Sequence, residues 1–187
     1  GETYLVGGTY ASMTLSGAYI IPSYFRIRPE HNLTVTSGTV MKFMSGAYLT
    51  LRSGGTLTAD NVLFTSAQAS PTAGAWEGVR FYEGSSGSLE NCVIEYAGIG
   101  IYCESSTSPQ ITESVIRSNT HGIEVKNDYG KVPQPVINNC SIYENTEYSY
   151  YVNEYGHWDT AILDARNNWW GTSDPVEIAG GIYDHNE

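Results

Sequence analysis

The sequence predicts an all-β fold, a solenoid of short strands stacked in parallel. Three observations carry this: a strand-and-turn composition, a phrase recurring about every 22 residues, and apolar–polar alternation inside each phrase. Of the 187 residues, 20 are glycine and 15 tyrosine, and only 16% are charged. Helical proteins lean instead on Ala, Leu, Glu and Lys. A hydrophobic fraction of 41% supplies one core, and the length suits a single domain over residues 1–187. No segment carries the i, i+3, i+4, i+7 spacing of a capped amphipathic helix.

The first phrase reads Asn61-Val62-Leu63-Phe64, then Asn91-Cys92-Val93-Ile94, Glu113-Ser114-Val115-Ile116, Asn139-Cys140-Ser141-Ile142 and finally Asn167-Asn168-Trp169-Trp170. Its anchors are Phe64, Ile94, Ile116, Ile142 and Trp169. A second phrase keeps step with it: Gly78-Val79-Arg80-Phe81, Gly100-Ile101-Tyr102-Cys103, Gly122-Ile123-Glu124-Val125 and Ser149-Tyr150-Tyr151-Val152. From Val79 to Ile101, Ile123 and Tyr150 the steps are 22, 22 and 27. The surplus residues sit in two turn-rich insertions, 66–74 and 127–133, expected to bulge from one corner of the repeat. Alternation within the phrases points Val79 and Phe81 one way and Arg80 the other. The N-terminal third shows shorter beats of the same kind, such as Leu33-Thr34-Val35 and Val40 to Gly46.

A unit of this length, built from strands of four to six residues, fits a coil of three strands. Successive coils then stack about 4.8 Å apart, and equivalent residues form columns. The anchors should line the interior, with Val62, Cys92, Ser114 and Cys140 beside them. Ala97, Asn119 and Asn145 share one turn, where asparagine can adopt the left-handed conformation and bond its copy a coil away. Roughly seven coils are expected over residues 33–187, with residues 1–32 as a lead-in strand and cap.

These residues resemble the right-handed parallel β-helix, pectin-lyase-like repeat proteins. The likeness runs through Leu33-Thr34-Val35, Gly38-Thr39-Val40-Met41-Lys42-Phe43, Phe64-Thr65-Ser66, Trp76-Glu77-Gly78-Val79-Arg80-Phe81, Ile94-Glu95-Tyr96-Ala97 and Asn167-Asn168-Trp169-Trp170-Gly171-Thr172. The resemblance implies an extracellular or cell-surface location. It leaves function open, since such repeats serve lyases, adhesins and structural modules alike.

Two outward columns carry the candidate chemistry. Beside the anchors run Thr65, Glu95, Arg117, Tyr143 and Trp170, which sets Glu95 and Arg117 one coil apart. They are the candidate catalytic pair of a polysaccharide lyase or glycoside hydrolase, reactions that need a base or two opposed carboxylates. A solvated salt bridge is the plainer expectation. The other column holds Arg80, Tyr102, Glu124 and Tyr151, flanked by Tyr82, Glu104, Lys126 and Asn153. Sugar rings stack on such tyrosines while charged groups and amides bond their hydroxyls. Arg80, Tyr82, Tyr102, Glu124 and Tyr151 are therefore the candidate ligand-binding residues.

Nine Lys and Arg stand against 20 Asp and Glu, a net charge of −11. This disfavours nucleic acid, and makes a neutral glycan the expected ligand unless calcium bridges an acidic one. No metal-binding motif is present. A loosely held calcium among the scattered Asp159, Asp164, Asp174 and Asp184 is the one cation the sequence leaves room for. No apolar run is long enough to span a membrane. The three cysteines are expected to be buried and unpaired, and Trp158, Trp169 and Trp170, with His157 nearby, to plug the C-terminal end, Trp169 facing inward and Trp170 outward. The expected function is a non-catalytic extracellular structural or surface module, glycan-binding or joined to like chains through the coil ends as a filament; a polysaccharide lyase or hydrolase is the alternative.

Overall fold

The computed structural model describes residues 3–128, 130–153 and 164–184. The chain winds as a parallel solenoid of six complete coils and part of a seventh. The first three coils are β1 (Thr3–Tyr4), β2 (Gly7–Gly8), β3 (Met13–Leu15); β4 (Ala18–Ile21), β5 (Tyr24–Ile27), β6 (Asn32–Val35); and β7 (Val40–Phe43), β8 (Tyr48–Leu51), β9 (Thr56–Asp60). The fourth and fifth are β10 (Leu63–Ser66), β11 (Gly78–Phe81), β12 (Ser86–Glu90); and β13 (Val93–Glu95), β14 (Ile99–Glu104), β15 (Gln110–Thr112). The sixth is β16 (Val115–Arg117), β17 (His121–Lys126), β18 (Val136–Asn138), and β19 (Ser141–Tyr143) and β20 (Tyr148–Asn153) begin the seventh. A short helix, α1 (Pro175–Gly180), and β21 (Ile182–Tyr183) follow. The first strand of each coil joins the first sheet, the second the second sheet and the third the third sheet; β21 pairs with β20 at the end of the second.

Residues 1–32 were expected to cap the stack, yet β1 to β5 already supply strands to all three sheets in the common register. The first coil is short, 16 residues from Thr3 to its partner Tyr19, and neither of the first two carries the asparagine phrase that marks the later repeats. The two insertions leave from different corners rather than one. The first lies between β10 and β11, at the join of the first and second sheets; the second lies between β17 and β18, at the join of the second and third.

The core is a set of straight columns. Phe64 pairs with Ile94, Ile94 with Ile116, and Ile116 with Ile142, all fully buried. In the second sheet Val79, Ile101, Ile123 and Tyr150 form one column, and Phe81, Cys103, Val125 and Val152 the next. Val62, Cys92, Ser114 and Cys140 are buried in a third, and all three cysteines are unpaired. Burial pushes the Cys92 thiol up to about 11 and the Cys103 thiol up to about 12.

The last anchor departs from expectation. Trp169, assigned to the interior, bridges to Ser141 and is 50% exposed, while Trp170 is the one packed against the core. A one-residue slip inverts the two faces of a strand. His157, Trp158 and Asp159 lie outside the described residues. One short helix also went unforeseen: the Asp174 side chain accepts a hydrogen bond from Val176 N at 2.8 Å and Pro175 opens the first turn, a recognisable helix start.

The asparagine ladder forms. Asn119 Oδ1 accepts from Ala97 N at 2.8 Å, and Asn145 Oδ1 accepts from Asn119 N at 3.1 Å. The left-handed residues there are the preceding Tyr96, Ser118 and Glu144, and not the asparagines. The asparagine amides instead reach the carbonyls of Ile94 and Ile116. This brings neighbouring turns so close that a Cβ on Gly100 would fall 2.6 Å from the Gly122 carbonyl oxygen, which explains the glycine opening the second phrase.

Candidate functional site

The outer face of the second sheet gathers the candidate ligand residues. Strand register lines up Arg26, Thr50, Arg80, Tyr102, Glu124, Tyr151 and Tyr183 in one column. Glu104, Lys126 and Asn153 form the column beside it, with Tyr82 one position past the Phe81–Cys103 pair. Arg80, Tyr82, Tyr102, Glu124 and Tyr151 thus share a face, because the alternating Val79, Phe81, Ile101 and Cys103 are committed to the core.

Two shallow depressions meet at Arg80 and Ile99. One, of about 260 Å³, is edged by Glu77, His121, Glu124 and Glu147; the other, of about 220 Å³, by Tyr82 and Tyr102. Arg80 is held from both sides. Its guanidinium pairs with Glu77 at 2.5 Å and lies 5.0 Å from the centre of the Tyr48 ring.

Beyond Arg80 the sequence reading missed the organising residue, His121. Its Nδ1 lies 3.1 Å from Glu124 Oε2 and its Nε2 lies 2.9 Å from Glu147 Oε2. Hydrogen bonding to Glu124, then to Glu147, raises its pKa against the opposing effect of burial. When protonated, the imidazole donates to both carboxylates, and its ring stacks on Tyr151 at 4.7 Å between ring centres. Tyr151 in turn stacks on Tyr148 at 5.3 Å and on Tyr183 at 5.0 Å. Glu124 is only 5% exposed, and Asn153 Nδ2 donates to its second oxygen at 2.8 Å. It therefore positions His121 and Asn153 and offers little to a ligand directly. A histidine in a slot filled elsewhere by Ile99 and Tyr148 gave no sequence signal, because the slot is set by register.

The Tyr102 hydroxyl donates to Glu104 Oε2 at 3.1 Å, and Lys126 Nζ approaches Glu104 Oε1 at 3.7 Å. Burial first, then Glu104, pushes the phenol above its ordinary range, so it stays protonated. Its ring is half-buried and inclined to Tyr82, with centres 5.7 Å apart.

Glu95 and Arg117 stand elsewhere, on the first sheet. The expected ion pair forms, with the Arg117 side chain 41% exposed but its partner buried. Glu95 is 8% exposed; Arg117 donates to its Oε2 from Nε at 3.1 Å and from Nη2 at 3.0 Å. Thr65 Oγ1 donates to Oε1 at 3.0 Å, and Arg117 Nη1 reaches the Tyr143 hydroxyl at 3.4 Å. Bonds to Tyr143 and Glu95 raise the Arg117 pKa further, so it holds its proton rather than accepting one. Trp76 closes the region from the first insertion, its indole N–H donating to the Glu95 carbonyl at 2.8 Å and its ring stacked on Phe43 at 4.1 Å. Of the scattered acids, Asp164 pairs with Arg166 at 2.7 Å and Asp174 caps α1.

Among the described residues no helix is long and apolar enough to cross a membrane. No curated protein and no solved structure matches the chain. The family profile for the right-handed beta helix region matches residues 23–168, from β5 in the second coil to just before Trp169. With that match and three parallel sheets wound in register, the chain belongs to the right-handed β-helix family.

Proposed function

We propose that the chain is a non-catalytic, extracellular β-helix module that binds a glycan along the outer face of its second sheet. The observation that carries this reading is the pair of depressions joined at Arg80, with Tyr82 and Tyr102 beside one and His121, Glu77 and Glu147 around the other. Tyrosine faces supply stacking surface, and the charged groups supply directional bonds to hydroxyls. The location rests on the resemblance to secreted β-helix proteins. Against the lyase or hydrolase reading, both oxygens of Glu95 already accept bonds and Arg117 is fixed as a cation.

The test is retention on immobilised glycans, neutral and acidic, with and without calcium. Stacking on one ring contributes on the order of 1 kcal/mol, so Tyr102→Ala alone should weaken retention modestly. The triple change of Tyr82, Tyr102 and Tyr151 to alanine should abolish it. No retention by the unaltered protein on any glycan would sink the proposal.

A further inference from the structure

The N-terminal half of the same face carries an arginine cluster that the repeat phrases reach only at Arg80. Four of the chain's six arginines gather there: Arg26, Arg28, Arg52 and Arg80. Arg26 and Arg80 flank Thr50 in the first column, two coils apart, roughly 10 Å at the strand spacing. Arg28 and Arg52 follow the paired Ile27 and Leu51, so they occupy neighbouring coils in the second column. Like charges so placed repel each other. In a protein with more than twice as many acids as bases, surface cations normally find carboxylates, yet among the described residues Arg26, Arg28 and Arg52 pair with none.

Each is held by a tyrosine ring instead. Arg28 lies 4.0 Å from the centre of Tyr10, on the coil before it, and Arg52 lies 4.3 Å from Tyr82, on the coil after it. The two guanidiniums are thus drawn apart along the axis. Arg26 sits 5.7 Å from Tyr24 and Arg80 5.0 Å from Tyr48. A guanidinium lying over a ring is fixed in place while the N–H donors along its edge remain open to a planar or tetrahedral anion. Two further groups in the patch lack partners. The Thr50 hydroxyl, on a residue 2% exposed between Arg26 and Arg80, and the buried Arg80 Nε make no hydrogen bond. Unmet polar groups at the centre of a cationic patch in which only Arg80 has a carboxylate partner, Glu77, are what an anion would satisfy.

From this we infer that the Arg26–Arg28–Arg52–Arg80 patch is an anion-binding subsite, which takes the carboxylate or sulfate groups of an acidic polysaccharide lying along the solenoid axis. The inference rests on the glycan-binding reading of this face and changes the expected ligand from neutral to acidic. The net charge of −11 does not forbid it, since at physiological salt charges beyond about 8 Å are largely screened. The two-coil spacing suits charges carried on alternate sugars of an extended chain. Nucleic acid, with its denser phosphates, meets the surrounding acidic surface at greater cost.

The test is retention on dextran sulfate, polygalacturonate and uncharged dextran at low and physiological salt, for the unaltered protein and for Arg26→Gln/Arg52→Gln. Both arginines are exposed, so the variant should keep its melting temperature. The expected result is retention on dextran sulfate or polygalacturonate that falls about tenfold in the variant and falls with salt. Retention on only one of the two identifies sulfate or carboxylate as the group recognised. Dextran held as tightly as the charged polymers, or acidic retention unchanged in the variant, would overturn the subsite while leaving the glycan-binding face standing. Retention on none of the three overturns both, and tighter retention on single-stranded DNA would replace the glycan with nucleic acid.

Discussion

The outer faces of the first and second sheets use the same side chains to opposite ends. On the first, Arg117 directs two donors at the buried Glu95 and a third at Tyr143, and Thr65 occupies the remaining Glu95 oxygen. On the second, Arg26, Arg28 and Arg52 lie over tyrosine rings with no carboxylate partner among the described residues. Direction is the same in the two cases: each arginine projects outward, Arg117 and Arg26 from within a parallel ladder and Arg28 and Arg52 from the residue just past one. The difference lies in the neighbouring coil. Where register supplies an acid one coil away, the charge closes on the protein itself; where it supplies a ring, the charge is oriented but left available. An outward arginine on a solenoid is therefore read from the column it stands in, since its own coil says little.

This contrast can be broken by substitution. The largest effect lies beneath both faces: Ile116→Asp puts a charge without a partner in a fully buried column, costing several kcal/mol, and should remove the cooperative thermal transition. Next is Arg117→Ala, which strands the Glu95 carboxylate at 8% exposure and should cost about 2–3 kcal/mol in urea unfolding. Adding Glu95→Ala to that variant should restore part of the loss, since the stranded charge disappears. Arg52→Ala, on the open face, should change stability by only about 0.5 kcal/mol. Equal losses from Arg117→Ala and Arg52→Ala would erase the distinction between the two faces.

The smallest effect is a pH dependence confined to the second face. Glu124 and Glu147 raise the folded-state pKa of His121 above its ordinary 6.5. The stability this contributes is fully present below pH 6.5 and is lost as pH rises through the higher folded value. His121→Gln should flatten that part of the stability profile; an unchanged slope between the two proteins would show that the histidine is not coupled to its carboxylates.

The interior was legible because a column is a sequence period made physical. Ile94, Ile116 and Ile142 could be stacked on paper, and their pairings follow that register. Trp169 and Trp170 could not be ordered, since two adjacent tryptophans fit the core position equally and only the bridge to Ser141 selects between them. The coils before residue 33 were opaque for a related reason: their strands are as short as two residues and share no phrase with later coils. Arg26 and Arg28 lie in that stretch, and with them went the arginine cluster. On the candidate face Arg80, Tyr102, Glu124 and Tyr151 were foreseen as neighbours, whereas His121 was not, because its importance comes from Glu147 on the following turn. The burial of Glu95 was hidden as well, since alternation gives direction and not depth.

The unpaired cysteines give the molecule a built-in clock. In a solenoid each coil rests only on its neighbours, so opening proceeds from an end and each further coil adds its own increment of cost. Cys140 belongs to the seventh coil, while Cys92 and Cys103 lie two coils deeper, all almost wholly inaccessible in the closed state. A thiol-reactive dye added to the native protein would then mark Cys140 first, and Cys92 together with Cys103 only later. The interval between those two events measures the free energy of peeling back the sixth and fifth coils, and simultaneous labelling of all three would reveal a stack that unravels as a single unit.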